Sequence, residues 1–149
     1  MSTEENKAAT RRLFDGLNQN EVAIVDELCT PDFVLHDPAG PGGWHGSGIH
    51  SPEEYKEYLS GFFASLPGQF TIDDMIAEGD KVAVRWTFEG THRGPLAGIA
   101  ATGNRVNVAN GVAIYRIAGG KIAEGNFAWD KFELMQQLGV LPAAGTAGV

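Results

Sequence analysis

Before Pro67 the apolar positions recur at three- and four-residue intervals; after it they alternate, so the pattern predicts helices followed by strands. Ser2 and Glu5 form a capping-box pair, and Ala9, Leu13, Phe14 and Leu17 then share one helical face. Asn20 is placed to cap a short second helix that turns Val22, Val25, Leu28 and Cys29 inward. That helix stops at Thr30-Pro31, because a residue preceding proline avoids the helical region. Asp32–His36 reads as a short strand. The third helix is the best marked, with Ser51 as its cap, Pro52 in its first turn and Glu54 completing the box. Tyr55, Tyr58, Leu59, Phe62, Phe63 and Leu66 follow as one broad aromatic stripe, ended by Pro67-Gly68.

The strands run from Phe70 to Ala77, through the alternating Val82, Val84, Trp86 and Phe88, and from Arg105 to Ile117. Gly119-Gly120 turns the last of these into a hairpin with Lys121–Trp129, and a short helix over Lys131–Leu138 follows. Helices grouped ahead of antiparallel strands predict an α+β fold: a cone-shaped barrel in which a strongly bent, mixed or antiparallel sheet wraps the N-terminal helices. The mouth of such a cone is a natural ligand pocket. Val106, Val108, Val112 and Ile114 are expected on one face of their strand. The other parity carries Ala109, Ala113 and Tyr115, so both faces are apolar and a homodimer through the outer face is expected.

A chain of 149 residues is read as a single domain, with a small-residue tail from about residue 141 expected to fray. Eleven Lys and Arg against 19 Asp and Glu give a net charge of −8, which argues against nucleic acid and anionic membranes as partners. Cys29 is the sole cysteine, no apolar run approaches the roughly 20 residues of a membrane span, and MSTEENKAATRR has no signal-like core. A cytoplasmic protein is the expectation. Residues 38–50, rich in glycine and carrying Trp44, His45 and His50, read as a loop over a site.

Four segments carry a resemblance to a known family: Val25–Leu28 with Pro31–Pro38, Ile76–Trp86, Gly90-Thr91-His92-Arg93-Gly94, and Gly120–Glu124 leading to Trp129-Asp130. Their spacing resembles the SnoaL-like polyketide cyclases, also called ester cyclases, of the nuclear transport factor 2-like superfamily. The resemblance spans about residues 8 to 139. It implies a cofactor-independent intramolecular aldol ring closure, with an acidic residue on the last strand as acid/base and a helping histidine on the preceding strand. Those positions correspond here to Phe127 and Ala113, and Gly125 stands where many relatives carry a histidine; none of the three can ionise.

The remaining candidates are weighed on their own chemistry. His36 ends an apolar strand and has a pKa suited to proton transfer near neutrality, or else it orders the following loop. Asp130 either serves as general acid/base from an apolar pocket or caps the last helix. Trp44, Trp86, His92, Tyr115, Phe127 and Trp129 are the expected ligand-binding residues, lining a cavity for a hydrophobic small molecule with no metal and no cofactor. Two functions follow: cofactor-independent acid/base chemistry of the cyclisation or isomerisation type, or a non-catalytic binding or assembly protein that keeps the fold and lacks the family's acid/base residues.

Overall fold

The computed structural model describes residues 2–40 and 48–141, so Trp44, His45 and the tail from residue 142 lie outside the described residues. The chain runs α1 (Thr3–Asn18), α2 (Ile24–Leu28), β1 (Cys29–His36), α3 (Pro52–Ser65), β2 (Gly68–Glu78), β3 (Lys81–Thr91), β4 (Arg105–Ala118), β5 (Lys121–Ala128) and α4 (Lys131–Gln137). The five strands form one curled, open sheet in the order β1-β5-β4-β3-β2. All neighbours are antiparallel except β1 and β5, which are parallel. The sheet is therefore mixed, as an α+β cone requires when a chain leaves an edge strand through a helix and returns from the far side.

The caps behave as their chemistry dictates. Ser2 and Glu5 make the reciprocal capping box of α1, and the Ser51 hydroxyl accepts the Glu54 N–H at the start of α3. Asn20, in contrast, does not cap α2, whose cap residue is Ala23; Asn20 sits at φ 57° in the turn that closes α1. Nor does Thr30-Pro31 separate a helix from a later strand. β1 begins at Cys29 and carries both residues, which an edge strand tolerates because proline's missing donor faces no partner.

The core lies between the inner face of the sheet and α1 and α3. Leu13, Phe14 and Leu17 of α1 are buried, each worth roughly 1.5–3 kcal/mol of transfer free energy. Phe14 meets Phe70 and Tyr115 edge-on at ring-centroid distances of 5.5 and 6.4 Å. At the end of α1 the Asn18 carboxamide pairs with the backbone of Phe70 in both directions, at 2.7 and 2.8 Å, and fixes the helix to β2.

The sheet bends where its ladder slips. Trp86 pairs with Gly111 but Phe88 pairs with Val108, so β4 carries one extra residue opposite β3, and Asn110 there adopts φ 58°. The extra residue reverses the parity of β4. Val106 and Val108 are buried on the inner face with Ala113 and Tyr115, while Val112 and Ile114 are exposed on the outer one. The single-face grouping of Val106, Val108, Val112 and Ile114 expected from simple alternation is thus corrected by the bulge.

Candidate active site

Phe33 and Leu35 of β1 are buried, and Asp37 continues their alternation one step past the strand end. Asp37 as a whole is only 7% exposed. Oδ1 accepts two hydrogen bonds, from the Ala39 N–H at 2.8 Å and from the Trp129 indole N–H at 3.1 Å. Among the described residues no donor reaches Oδ2. Burial pushes the Asp37 pKa above the ordinary carboxylate value; the Ala39 and Trp129 hydrogen bonds and the charge of Lys131 oppose that rise without cancelling it.

Asp37 stands in the wall of an otherwise apolar cavity between α3 and the sheet. Tyr55, Tyr58, Leu59 and Phe62 of α3 form one side. Trp86 and Phe88 of β3, Phe127 of β5 and Trp129 form the other. The cavity measures about 50 Å³, room for a few waters and no ring system. A second, outer groove of about 590 Å³ lies against α3, residues 48–50 and residues 95–97, and shares Tyr58 and Phe62 with the inner cavity. Burial, with the nearby Asp37 charge as a smaller contribution, raises the Tyr55 and Tyr58 pKa values well above normal, so both phenols remain protonated donors.

Trp86 owes its place to the absence of a side chain at Gly111. A Cβ at Gly111 would lie 2.4 Å from Cε2 and Cζ2 of the Trp86 ring, so the indole lies against bare β4 backbone. A Cβ at Gly125 would crowd Leu35 and Tyr115 in the same way, at 2.9 and 3.0 Å. Gly125, Phe127 and Ala113 all face inward, and Ala113 and Phe127 are direct cross-strand partners. The wall at which the family resemblance expects its acid and histidine is therefore apolar.

Of the residues expected from sequence, the structure brings Trp86, Phe127 and Trp129 to the cavity. It does not bring His36, whose partner across β1 and β5 is Asn126 and which therefore turns to the outer face while Leu35 and Asp37 turn inward. Asp130 is exposed, and its carboxylate accepts the Glu133 N–H at 2.9 Å: it is the cap of α4. His92 is fully buried away from the cavity, its Nδ1 accepting the Thr102 N–H and ordering the loop after β3. Tyr115 is fully buried and packs edge-on against Phe127 without bordering the cavity. Trp44 lies outside the described residues. Among the described residues no three His, Cys, Asp or Glu side chains converge as metal ligands. Asp37 and the Tyr55 and Tyr58 hydroxyls are what the sequence reading missed. Carrying the Phe33, Leu35 alternation one step further would have found the first.

Residues 7–138 match the family described as SnoaL-like polyketide cyclase. Among solved structures, the fold is similar to that of TsrD from Streptomyces laurentii, at 25% identity and a TM-score of 0.81 over 95% of this chain and 99% of that one. AclR from Streptomyces galilaeus, for which a hydroxylase role has been suggested, is 26% identical with a TM-score of 0.80, covering 95% of this chain and all (100%) of its own. IdmH from Streptomyces antibioticus, for which a polyketide cyclase role has been suggested, is 25% identical with a TM-score of 0.75, over 91% of this chain and 99% of that one. No curated protein sequence matches this chain.

Proposed function

This chain belongs to the SnoaL-like polyketide cyclase family, and from that premise we propose that it is a cofactor-independent acid/base enzyme acting on an uncharged, hydrophobic, carbonyl-bearing small molecule, with Asp37 as the proton-transfer group. The observation that carries this is the buried Asp37 carboxyl in the wall of an apolar cavity, with Oδ1 held by two donors and Oδ2 left for a ligand. A carboxylate held this way removes a proton from the carbon next to a ligand carbonyl. The resulting enolate carbon attacks a second carbonyl of the same molecule, forming the new C–C bond, and the Asp37 carboxylic acid returns its proton to the new alkoxide. The sequence balances with no redox partner, and a raised Asp37 pKa brings the acid and base forms closer to neutral pH.

The test uses 1-tetralone, a neutral bicyclic ketone, in deuterated buffer, following deuterium uptake at its α-carbon by NMR. The wild-type protein accelerates uptake, and Asp37→Asn lowers the acceleration by about 100-fold or more while still binding the ketone. Uptake unchanged by Asp37→Asn would refute the assignment.

A second reading, a binding protein that retains the fold without chemistry, is favoured by the non-ionisable Ala113, Gly125 and Phe127. It predicts ligand binding with no deuterium uptake. In either case we propose a homodimer through the outer sheet face, where Ile76, Val112 and Ile114 are exposed. We also propose a reducing, cytoplasmic setting, consistent with a single buried free thiol; no helix of the described residues is long and apolar enough to cross a membrane.

A further inference from the structure

Trp86 contributes its ring to the cavity wall, and its indole N–H is buried with no hydrogen-bond partner among the described residues. An orphaned buried donor is destabilising, and phenylalanine would fill the same apolar wall without that cost. The ring is not free to turn toward an acceptor elsewhere. Gly111 backbone lies against its Cε2–Cζ2 edge, Phe70 meets it edge-on at 5.2 Å, and Phe127 packs on it at 5.9 Å. The donor is therefore held in advance of any ligand, which is how hydrogen-bond recognition is made selective.

We propose that the Trp86 N–H is the group that recognises the ligand's carbonyl oxygen, so that this cavity selects cyclic ketones and their enols over hydrocarbons of the same shape. The proposal deepens the reading of Asp37 as the base and rests on the same cavity. With Asp37 taking the α-proton, the negative charge that builds on the carbonyl oxygen meets the Trp86 donor. Among the described residues the cavity lining holds no Lys or Arg and one carboxyl, a surface suited to an uncharged ligand.

Tyr115 supplies the control. Its hydroxyl is also buried without a partner among the described residues, but the ring does not border the cavity. Two probes of matched shape are used, 1-tetralone and its hydrocarbon counterpart tetralin, with the tryptophan indole N–H resonances followed by ¹⁵N-resolved NMR. The Trp86 resonance is identified by its loss in Trp86→Phe, or by elimination with Trp44→Phe and Trp129→Phe should that variant not fold. The Trp86 N–H resonance moves downfield with tetralone and stays near its free position with tetralin. In Trp86→Phe the ratio of tetralone to tetralin affinity falls roughly tenfold, the value of one hydrogen bond, and in Tyr115→Phe it is unchanged. Equal indole shifts with both probes, an unchanged ratio in Trp86→Phe, or no binding of either probe to the wild type would overturn the proposal. Tetralone that binds with the indole shift but gains no deuterium would remove Asp37 as the base and leave Trp86 as the recognition group. Deuterium uptake without the indole shift would do the reverse.

Discussion

Asp37 and Asp130 carry the same carboxyl group and differ only in what surrounds it. Asp130 is exposed and turns its oxygen to a free helix N–H, as an N-cap does; Asp37 is buried and faces an apolar space. Asp130→Ala should therefore cost about 1 kcal/mol of stability in chemical denaturation and leave deuterium exchange into tetralone untouched. Asp37 links stability to pH in the less common direction for an acid. Its folded pKa lies above the unfolded value, so the native state binds the proton more tightly there. The contribution is present below the ordinary carboxylate pKa and is lost as pH rises through the raised one. Asp37→Asn should abolish that decline, measured as the difference between the two proteins' unfolding free energies across acidic pH. Removing the buried orphan hydroxyl with Tyr115→Phe should leave the protein equally or more stable by the same measurement. By residue type alone His36 is the more familiar proton carrier. Side-chain parity decides otherwise, since Leu35 faces in, His36 out and Asp37 in.

Among the elements, α3 was readable to its ends because its signals are local: a cap hydroxyl, an early proline and an unbroken aromatic stripe. β4 was misread in its outer half for the opposite reason. Period-two counting assumes an unbroken ladder, and a bulge is invisible to it apart from the tolerance of asparagine for positive φ. The parallel partnership of β1 with β5 was equally hidden, because it joins segments about ninety residues apart and leaves no local mark. Asn110→Val places a β-branched residue at φ 58°, and should cost roughly 1–2 kcal/mol or more in denaturation experiments. Asn110→Gly should be tolerated. Equal stabilities of the two variants would show that β4 does not hold this bulge in solution.

Seen as a whole, the cone has an occupied inside and an unfinished outside. One row crosses all five strands on the outer face in register: Ile76, Ala83, Ile114, Asn126 and His36. Ile76 and Ile114 are 66% and 44% exposed. A second copy laid on this row would cover them and would bury His36 at its edge. Ile114→Asp should then convert a dimeric mass to a monomeric one by light scattering at micromolar concentration; a monomeric wild type would contradict the dimer. On the inside, the cavity is smaller than a ring system, so the proposed ligand would need side chains of its lining to move, and Tyr58 and Phe62, which also line the outer groove, are the ones with space beside them. The curled sheet over the helices and the grouping of Trp86, Phe127 and Trp129 were legible in the sequence. The buried carboxyl was not, because only the fold turns Asp37 inward. The most direct test of Asp37 as the proposed base is the pH–rate profile of deuterium uptake by 1-tetralone. The wild-type rate should rise with pH through a midpoint above the ordinary carboxylate range, and that rise should vanish in Asp37→Asn. The same rise in both proteins would mean that Asp37 is not the base.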